Sequence, residues 1–209
     1  LPAISDSSTV RTAFAFIVTG ICLKLALFPL HLWLPNAYTY SPSAVTAFLG
    51  ATATKVAVYV LIRFVFTIFG VEFSFGAEPL AEVLVPLAII GLLSASTVSI
   101  MQPNIKRMLA YSSVAQIGYI VLGLAMGTAM GLTASLLHVF NHGLMKGALF
   151  MVMGAVAYRM GGTSIDDMRG LAKTMPLTFW AFVLGGLSLI GVPLTVGFVS
   201  KWHLILAAL

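Results

Sequence analysis

Long apolar runs separated by short polar connections dominate this 209-residue chain. Runs near 8–34, 43–69, 80–101, 107–127, 131–157 and 176–209 each reach the roughly 20 predominantly apolar residues that a helix needs to cross a bilayer. The pattern predicts an all-α fold: a polytopic transmembrane helix bundle of about six helices, with 1–209 forming a single transmembrane domain. Four polar positions break it. Lys24, Lys55, Lys146 and Lys201 lie deep inside apolar stretches, where each charge costs roughly 2.5–3.5 kcal/mol to insert. Buried amines with a partner or a file of water are the usual means of moving ions or protons.

Two runs carry similar interruptions. The first contains Leu23-Lys24-Leu25-Ala26-Leu27-Phe28-Pro29-Leu30, and the last Leu187-Ser188-Leu189-Ile190-Gly191-Val192-Pro193-Leu194, identical at half of these positions. Proline removes a helix donor and clashes with the preceding turn, so both spans are expected to break or kink there. Matched broken helices point to a repeat with the ion site near the breaks. A separation of five helices makes it an inverted repeat; chance likeness between Leu-rich helices is the alternative. The loops set an orientation. Lys106 and Arg107 occupy one loop, and Arg159, Arg169 and Lys173 another, whereas 70–79 and 128–130 carry no Lys or Arg. The two basic loops fall on one side, cytoplasmic by the positive-inside rule, with the 35–42 connection beside them and Leu1 outside. Arg11 dissents. The 161–173 stretch reads as a polar loop with a short surface helix.

Composition narrows the class. The chain is 60% hydrophobic and 8% charged, against about 25% charged for soluble domains, which excludes a soluble core. The acids, Asp6, Glu72, Glu78, Glu82, Asp166 and Asp167, fall at or near segment ends, so no carboxylate of this chain waits at mid-depth for the lysines. Cys22 stands alone; that excludes a disulfide framework, a multi-Cys metal site or an iron–sulfur cluster held by this chain, and suits a small buried hydrophobe. The net charge of +5 is divided between loop anchors and buried positions rather than clustered on a polar face, so nucleic acid is not an expected partner. No metal, cofactor or redox centre is expected. The chain opens at Leu1 without Met and closes in the apolar run 204–209, with no cleavable signal pattern. It is expected to be a fragment of a longer polytopic protein.

The candidate chemistry concentrates in the fifth run. His138, His142 and Lys146 recur every four residues, a polar stripe that drifts about 40° and rises about 6 Å per step. Asn141 flanks it. Groups that exchange protons, one helical turn apart, suit a water-bridged relay; hydrogen bonding that only locks the helices is the bland alternative. Bis-histidine haem ligation fails for this pair, because neighbours on one helix cannot reach opposite faces of a haem. In the second run Lys55, Tyr59 and Arg63 share a face, Arg63 suiting an outer snorkelling role. Thr46, Thr52 and Thr54 there either hold water or bond their own helix.

Lys24 precedes the Pro29 break, where freed carbonyls of a half-helix C-terminus stabilise an ammonium. Lys201 lies beyond the second break, in the first turns of a half-helix beginning near Gly197, where the dipole opposes positive charge; an interfacial anchor is its alternative. Lys106-Arg107 reads as a loop anchor, and Trp33, Trp180 and Trp202 as belt or packing residues. Ser112, Ser113, Gln116 and Tyr119 are candidates to wet the relay.

These stretches together resemble a known family. His31-Leu32-Trp33-Leu34-Pro35-Asn36-Ala37 after Lys24, Ser41-Pro42-Ser43 leading to Lys55, Lys106 to Ser113, His138 to Phe150 and Gly191 through Lys201 are similar to the antiporter-like membrane subunits of proton-pumping NADH:quinone oxidoreductase (complex I), Mrp-type cation/proton antiporters and membrane-bound hydrogenases. The resemblance implies helices seven to twelve of a roughly fourteen-helix subunit, with the seventh and twelfth broken. It implies that Lys24 pairs with a glutamate upstream of Leu1, that Lys55 is the central lysine, that His138, His142 and Lys146 form the linking axis, and that Lys201 is the terminal residue. Asn36 stands where many members have Asp.

The Asn141–Phe150 and Gly191–Trp202 runs look most like the D subunits of Mrp cation/proton antiporters, with the quinone-reductase subunits as the alternative. The expected protein is a proton-conducting subunit, using Lys24, Lys55, His138, His142, Lys146 and Lys201 with support from Tyr59, Asn141 and Ser112. Its expected partners are other membrane subunits, protons, Na⁺ and lipid, and its expected place is a prokaryotic plasma membrane.

Overall fold

The computed structural model describes residues 7–209; Asp6 and the Leu1 end lie outside the described residues. The first run is helix α1, Ser8–Leu25, a turn-rich break, and α2, Trp33–Tyr40. The second is α3, Ser43–Ile62, prolonged to Ile68 by π-helical turns. A π-helical turn at Glu72–Ala77 leads to α4, Leu80–Ile100, which continues through Pro86. Then come α5, Ile105–Ala125, and α6, Ala129–Met160. A 3₁₀ turn at Asp166–Met168 and the four-residue α7, Leu171–Thr174, fill the polar connection. The last run is divided into α8, Pro176–Ile190, and α9, Val196–Ala208.

Among the described residues five helices are long and apolar enough to cross a membrane, ending with α6. The sixth run, where Pro193 led to the expectation of a break, is two helices of 15 and 13 residues. The breaks sit beside the prolines, as the sequence suggested, but left-handed residues end the helices first. Ala26 (φ 62°) closes α1 and Gly191 (φ 93°) closes α8. In each case the next amide reaches back to a carbonyl five residues earlier, Leu27 to Cys22 at 3.0 Å and Val192 to Leu187 at 3.1 Å, the Schellman closure. Ala26 lacks glycine's freedom at positive φ, a conformation that costs roughly 1–2 kcal/mol. Helix starts show ordinary capping: Asn104 Oδ1 accepts from Arg107 N at 3.1 Å, Thr128 Oγ1 from Gly131 N at 3.0 Å, and Thr195 Oγ1 from Phe198 N at 3.4 Å.

Helix α5 is the central strut, 72% of its apolar window buried against 22% for α1. It packs on α4 along one side and on α6, α2 and α9 along the others. The loops show the sidedness read from charge. Ile105 N donates to Thr163 O at 2.8 Å and Ile165 N to Pro103 O at 3.0 Å, so the two basic loops touch. Lys106 was expected to be a loop anchor; its side chain is buried and its Nζ donates to Ser41 O at 2.8 Å, tying the 35–42 connection to the same end. Arg11 lies at the opposite end, where its Nε meets Glu78 Oε1 at 3.1 Å. The dissenting charge is therefore paired.

Candidate functional site

The polar stripe of α6 faces inward along its whole length. His138, His142 and Lys146 are fully buried and Asn141 nearly so. Lys146 Nζ donates to Leu109 O and to Ser112 Oγ, both at 2.6 Å, on α5. Ser112 in turn donates to Leu109 O at 3.0 Å, so its lone pairs are free for the amine. His138 Nε2 lies 2.9 Å from Gln116 Oε1 on α5, and its Nδ1 lies 2.8 Å from Ser200 Oγ on α9. Asn141 Nδ2 donates to Val196 O at 2.8 Å, fixing the start of α9 against α6.

His142 stands between these groups. Its ring is parallel to that of His138, with centroids 6.1 Å apart and planes within 8°. Neither of its ring nitrogens has a hydrogen-bond partner among the described residues. Lys55 approaches the same place from α3, buried, with Nζ donating to Gly50 O. That approach needs Gly143: a Cβ there would lie 3.1 Å from Ala51 O and 4.0 Å from Lys55 Cε. Lys55 also floors a groove of about 450 Å³ between α3 and α6, bordered by Thr52, Tyr59, Phe140 and Leu144. Tyr59 is more than half exposed on its rim and Arg63 is exposed beyond it. Thr46 and Thr52 bond backbone carbonyls of their own neighbourhood, Thr46 Oγ1 with Tyr38 O at 3.0 Å and Thr52 Oγ1 with Phe48 O at 2.8 Å, so the bland reading holds for them.

The two break lysines differ from expectation. Lys201 is indeed in the second turn of α9, yet its Nζ crosses the break and donates to Leu189 O and Ile190 O of α8, both at 3.0 Å. The C-terminal dipole that the sequence reading offered to Lys24 thus holds Lys201. The amine also lies 4.8 Å from the Tyr119 ring centroid, and Tyr119 stands 6.0 Å from the ring of His138. Lys24 is exposed and joins none of these contacts. At its break the indole of Trp33 donates to Leu23 O at 2.9 Å instead.

The sequence missed two features. Ser200 was hidden beside the more conspicuous Lys201, although its offsets of three from Gly197 and four from Leu204 put it on the buried face. His31 entered only through its motif; it is buried, stacked 5.5 Å from Phe28 and 6.4 Å from Tyr111, and its Nδ1 has no partner among the described residues.

Packing alone does not account for this arrangement. Interhelical hydrogen bonds in membranes average about 0.6 kcal/mol, whereas the two buried lysines of this site, Lys55 and Lys146, cost roughly 2.5–3.5 kcal/mol apiece on insertion scales. The ion pairs found among the described residues involve Arg11 with Glu78 and Arg169 with Asp166; the buried amines are held by carbonyls and one hydroxyl. Such a set can pass a proton while leaving no permanent ion pair to break.

Known proteins resemble this chain in sequence and in fold. The family described as "NADH:quinone oxidoreductase/Mrp antiporter, TM" matches residues 2–209. NADH-quinone oxidoreductase subunit N of Desulforudis audaxviator is 49% identical over 209 residues, all of this chain and 41% of its own length. The D subunit of the Na(+)/H(+) antiporter of Alkalihalophilus pseudofirmus is 36% identical over 197 residues, 94% of this chain and 39% of its own. The Mrp complex structure from Dietzia sp. superposes with a TM-score of 0.89 at 34% identity, over 99% of this chain and 38% of that one. The chain therefore spans about two fifths of the length of these relatives. By family match and by fold alike, it belongs to the membrane-spanning NADH:quinone oxidoreductase/Mrp antiporter family.

Proposed function

We propose that this chain forms half of a proton path, running from Lys55 past His142 to Lys146 on one side and to His138 and Lys201 on the other. The observation that carries the reading is the convergence of buried amines and imidazoles on one face of α6, without a carboxylate partner among the described residues. Each ammonium raises the energy of protonating its neighbour, so transfer at one group changes the field at the next. Tyr59 at the groove, Asn141 at the start of α9 and Ser112 beneath Lys146 hold the geometry. Lys24, on the outward face of α1, pairs with a carboxylate supplied from outside residues 1–209, and the matched breaks belong to an inverted repeat.

The parent assembly is a multisubunit membrane complex of a prokaryotic plasma membrane. The 49% identity to a subunit N favours a redox-driven pump. The second reading, cation/proton exchange, is favoured by the 0.89 superposition on an Mrp complex. No cofactor of this chain takes part in either. Lys55→Ala and Lys146→Ala in the parent complex are expected to reduce proton flux into vesicles at least about 100-fold, within the range of proton-transfer contributions, while native gels show intact assembly. Normal flux in both variants defeats the reading. Proton flux that requires Na⁺ selects the exchanger.

A further inference from the structure

His138 is held between two groups that can each donate or accept. Ser200 Oγ lies 2.8 Å from Nδ1, and the same hydroxyl lies 3.2 Å from Gly197 O, an alternative acceptor for its hydrogen. Gln116 presents Oε1 to Nε2 at 2.9 Å, and a half-turn of its amide presents the NH₂ group instead. All three side chains are buried. A bond to a fixed donor such as lysine, or a fixed acceptor such as a lone carbonyl, would select one tautomer. This pair accepts both.

The site admits two complete hydrogen-bond arrangements. In the first, Nε2–H donates to Gln116 Oε1 and the Ser200 hydroxyl donates to Nδ1. In the second, Nδ1–H donates to Ser200 Oγ, the hydroxyl donates to Gly197 O, and the turned Gln116 NH₂ donates to Nε2. From these distances we infer that Gln116 is a positioning residue whose amide rotation switches His138 between its two tautomers and so gates passage along the axis. The inference rests on the conduction reading above and deepens it.

Protons balance along this route. Nδ1 takes the hydroxyl proton of Ser200 as that oxygen receives one from a water on the Lys201 side, which breaks one O–H bond and forms another. The resulting imidazolium releases its Nε2 proton to a second water, which hands it to His142, the stacked ring 6.1 Å away whose nitrogens are buried and unpartnered among the described residues. Turning the amide then satisfies the bare Nε2 and prevents the proton from returning. With the carbonyl facing Nε2, the ring keeps its proton and exchanges only through Ser200. One proton crosses, and the charge on the ring is restored.

A purely structural strut would behave differently. Gln116→Glu preserves shape and still accepts from Nε2–H, but it has no NH₂ to turn inward. The expected result in the full-length parent protein is an assembled complex whose proton flux falls at least about tenfold, in the range of a lost proton-transfer group. Ser200→Thr keeps an amphoteric hydroxyl and retains flux, and Ser200→Ala loses it. ¹⁵N-histidine solid-state NMR of the reconstituted protein is expected to show both neutral tautomers for His138 in the wild type and the Nε2–H form alone in Gln116→Glu. Should Gln116→Glu not assemble, Gln116→Met supplies the same flux comparison without a buried charge. A single tautomer in the wild type, or wild-type flux in the assembled Gln116 variant while Lys55→Ala is inactive, overturns the switch and leaves the conduction reading standing. Wild-type flux in both Lys55→Ala and Lys146→Ala removes the conduction reading itself.

Discussion

The two breaks share four of eight residues and dispose of their lysines in opposite ways. At the α8–α9 break the carbonyls of Leu189 and Ile190 are capped by Lys201 from the second half-helix. At the α1–α2 break the side chain that reaches back is the Trp33 indole, which donates to Leu23 O, and Lys24 stays exposed. The difference lies in the segment beyond the turn. After Gly191, only Val192 to Thr195 separate the helices, and α9 returns closely over the end of α8: Gly197 sits so near Ser188 O that a Cβ would overlap it. After Ala26, the chain runs through Leu27 to Leu32 before α2 begins. A half-helix C-terminus attracts cations in general; which cation arrives depends on the return path.

The strongest way to break this contrast is to neutralise each lysine in the parent complex. Lys201→Met is expected to reduce vesicle proton flux about 100-fold with assembly unchanged. Lys24→Met is expected to match it under the proposal that a carboxylate outside residues 1–209 pairs with Lys24. Unimpaired flux in Lys24→Met would confine the path to the second break. Next in size, Gly197→Ala forces α8 and α9 apart and is expected to destabilise the protein by about 1–3 kcal/mol, as overpacking does. Gly20→Ala in α1 meets nothing within 4 Å and is expected to raise stability by up to about 1 kcal/mol; thermal unfolding in detergent compares the two. The smallest effect belongs to Trp33→Phe, which leaves Leu23 O without its indole donor. A loss of about 0.5–1.5 kcal/mol with unchanged flux would mark that cap as structural.

Much of this was legible in the sequence because burial in lipid leaves few choices. Apolar run length located the membrane helices to within a few residues, and the four-residue spacing of His138, His142 and Lys146 placed them on one face. The loop charges put the two basic loops at one end, where the 103–107 and 163–165 segments touch. Partners were not legible. Periodicity shows that Lys146 faces inward, not that Ser112 receives it, and nothing local links Lys106 to Ser41 or Lys201 to carbonyls across a break. Lys106 was misread because an anchor and a buried clamp have the same sequence at a helix start. The break in the sixth run was legible from Pro193; its caps were not, because Gly191 and Thr195 sit among apolar neighbours that conceal them.

Helix α6 has 32 residues, which at 1.5 Å each makes a rod of about 48 Å, against a hydrocarbon slab of about 30 Å. Such a rod leans or overhangs. Where it leans, the line from His138 to Lys146 runs sideways as well as through the slab, so a charge passed along that face would move partly in the plane of the membrane.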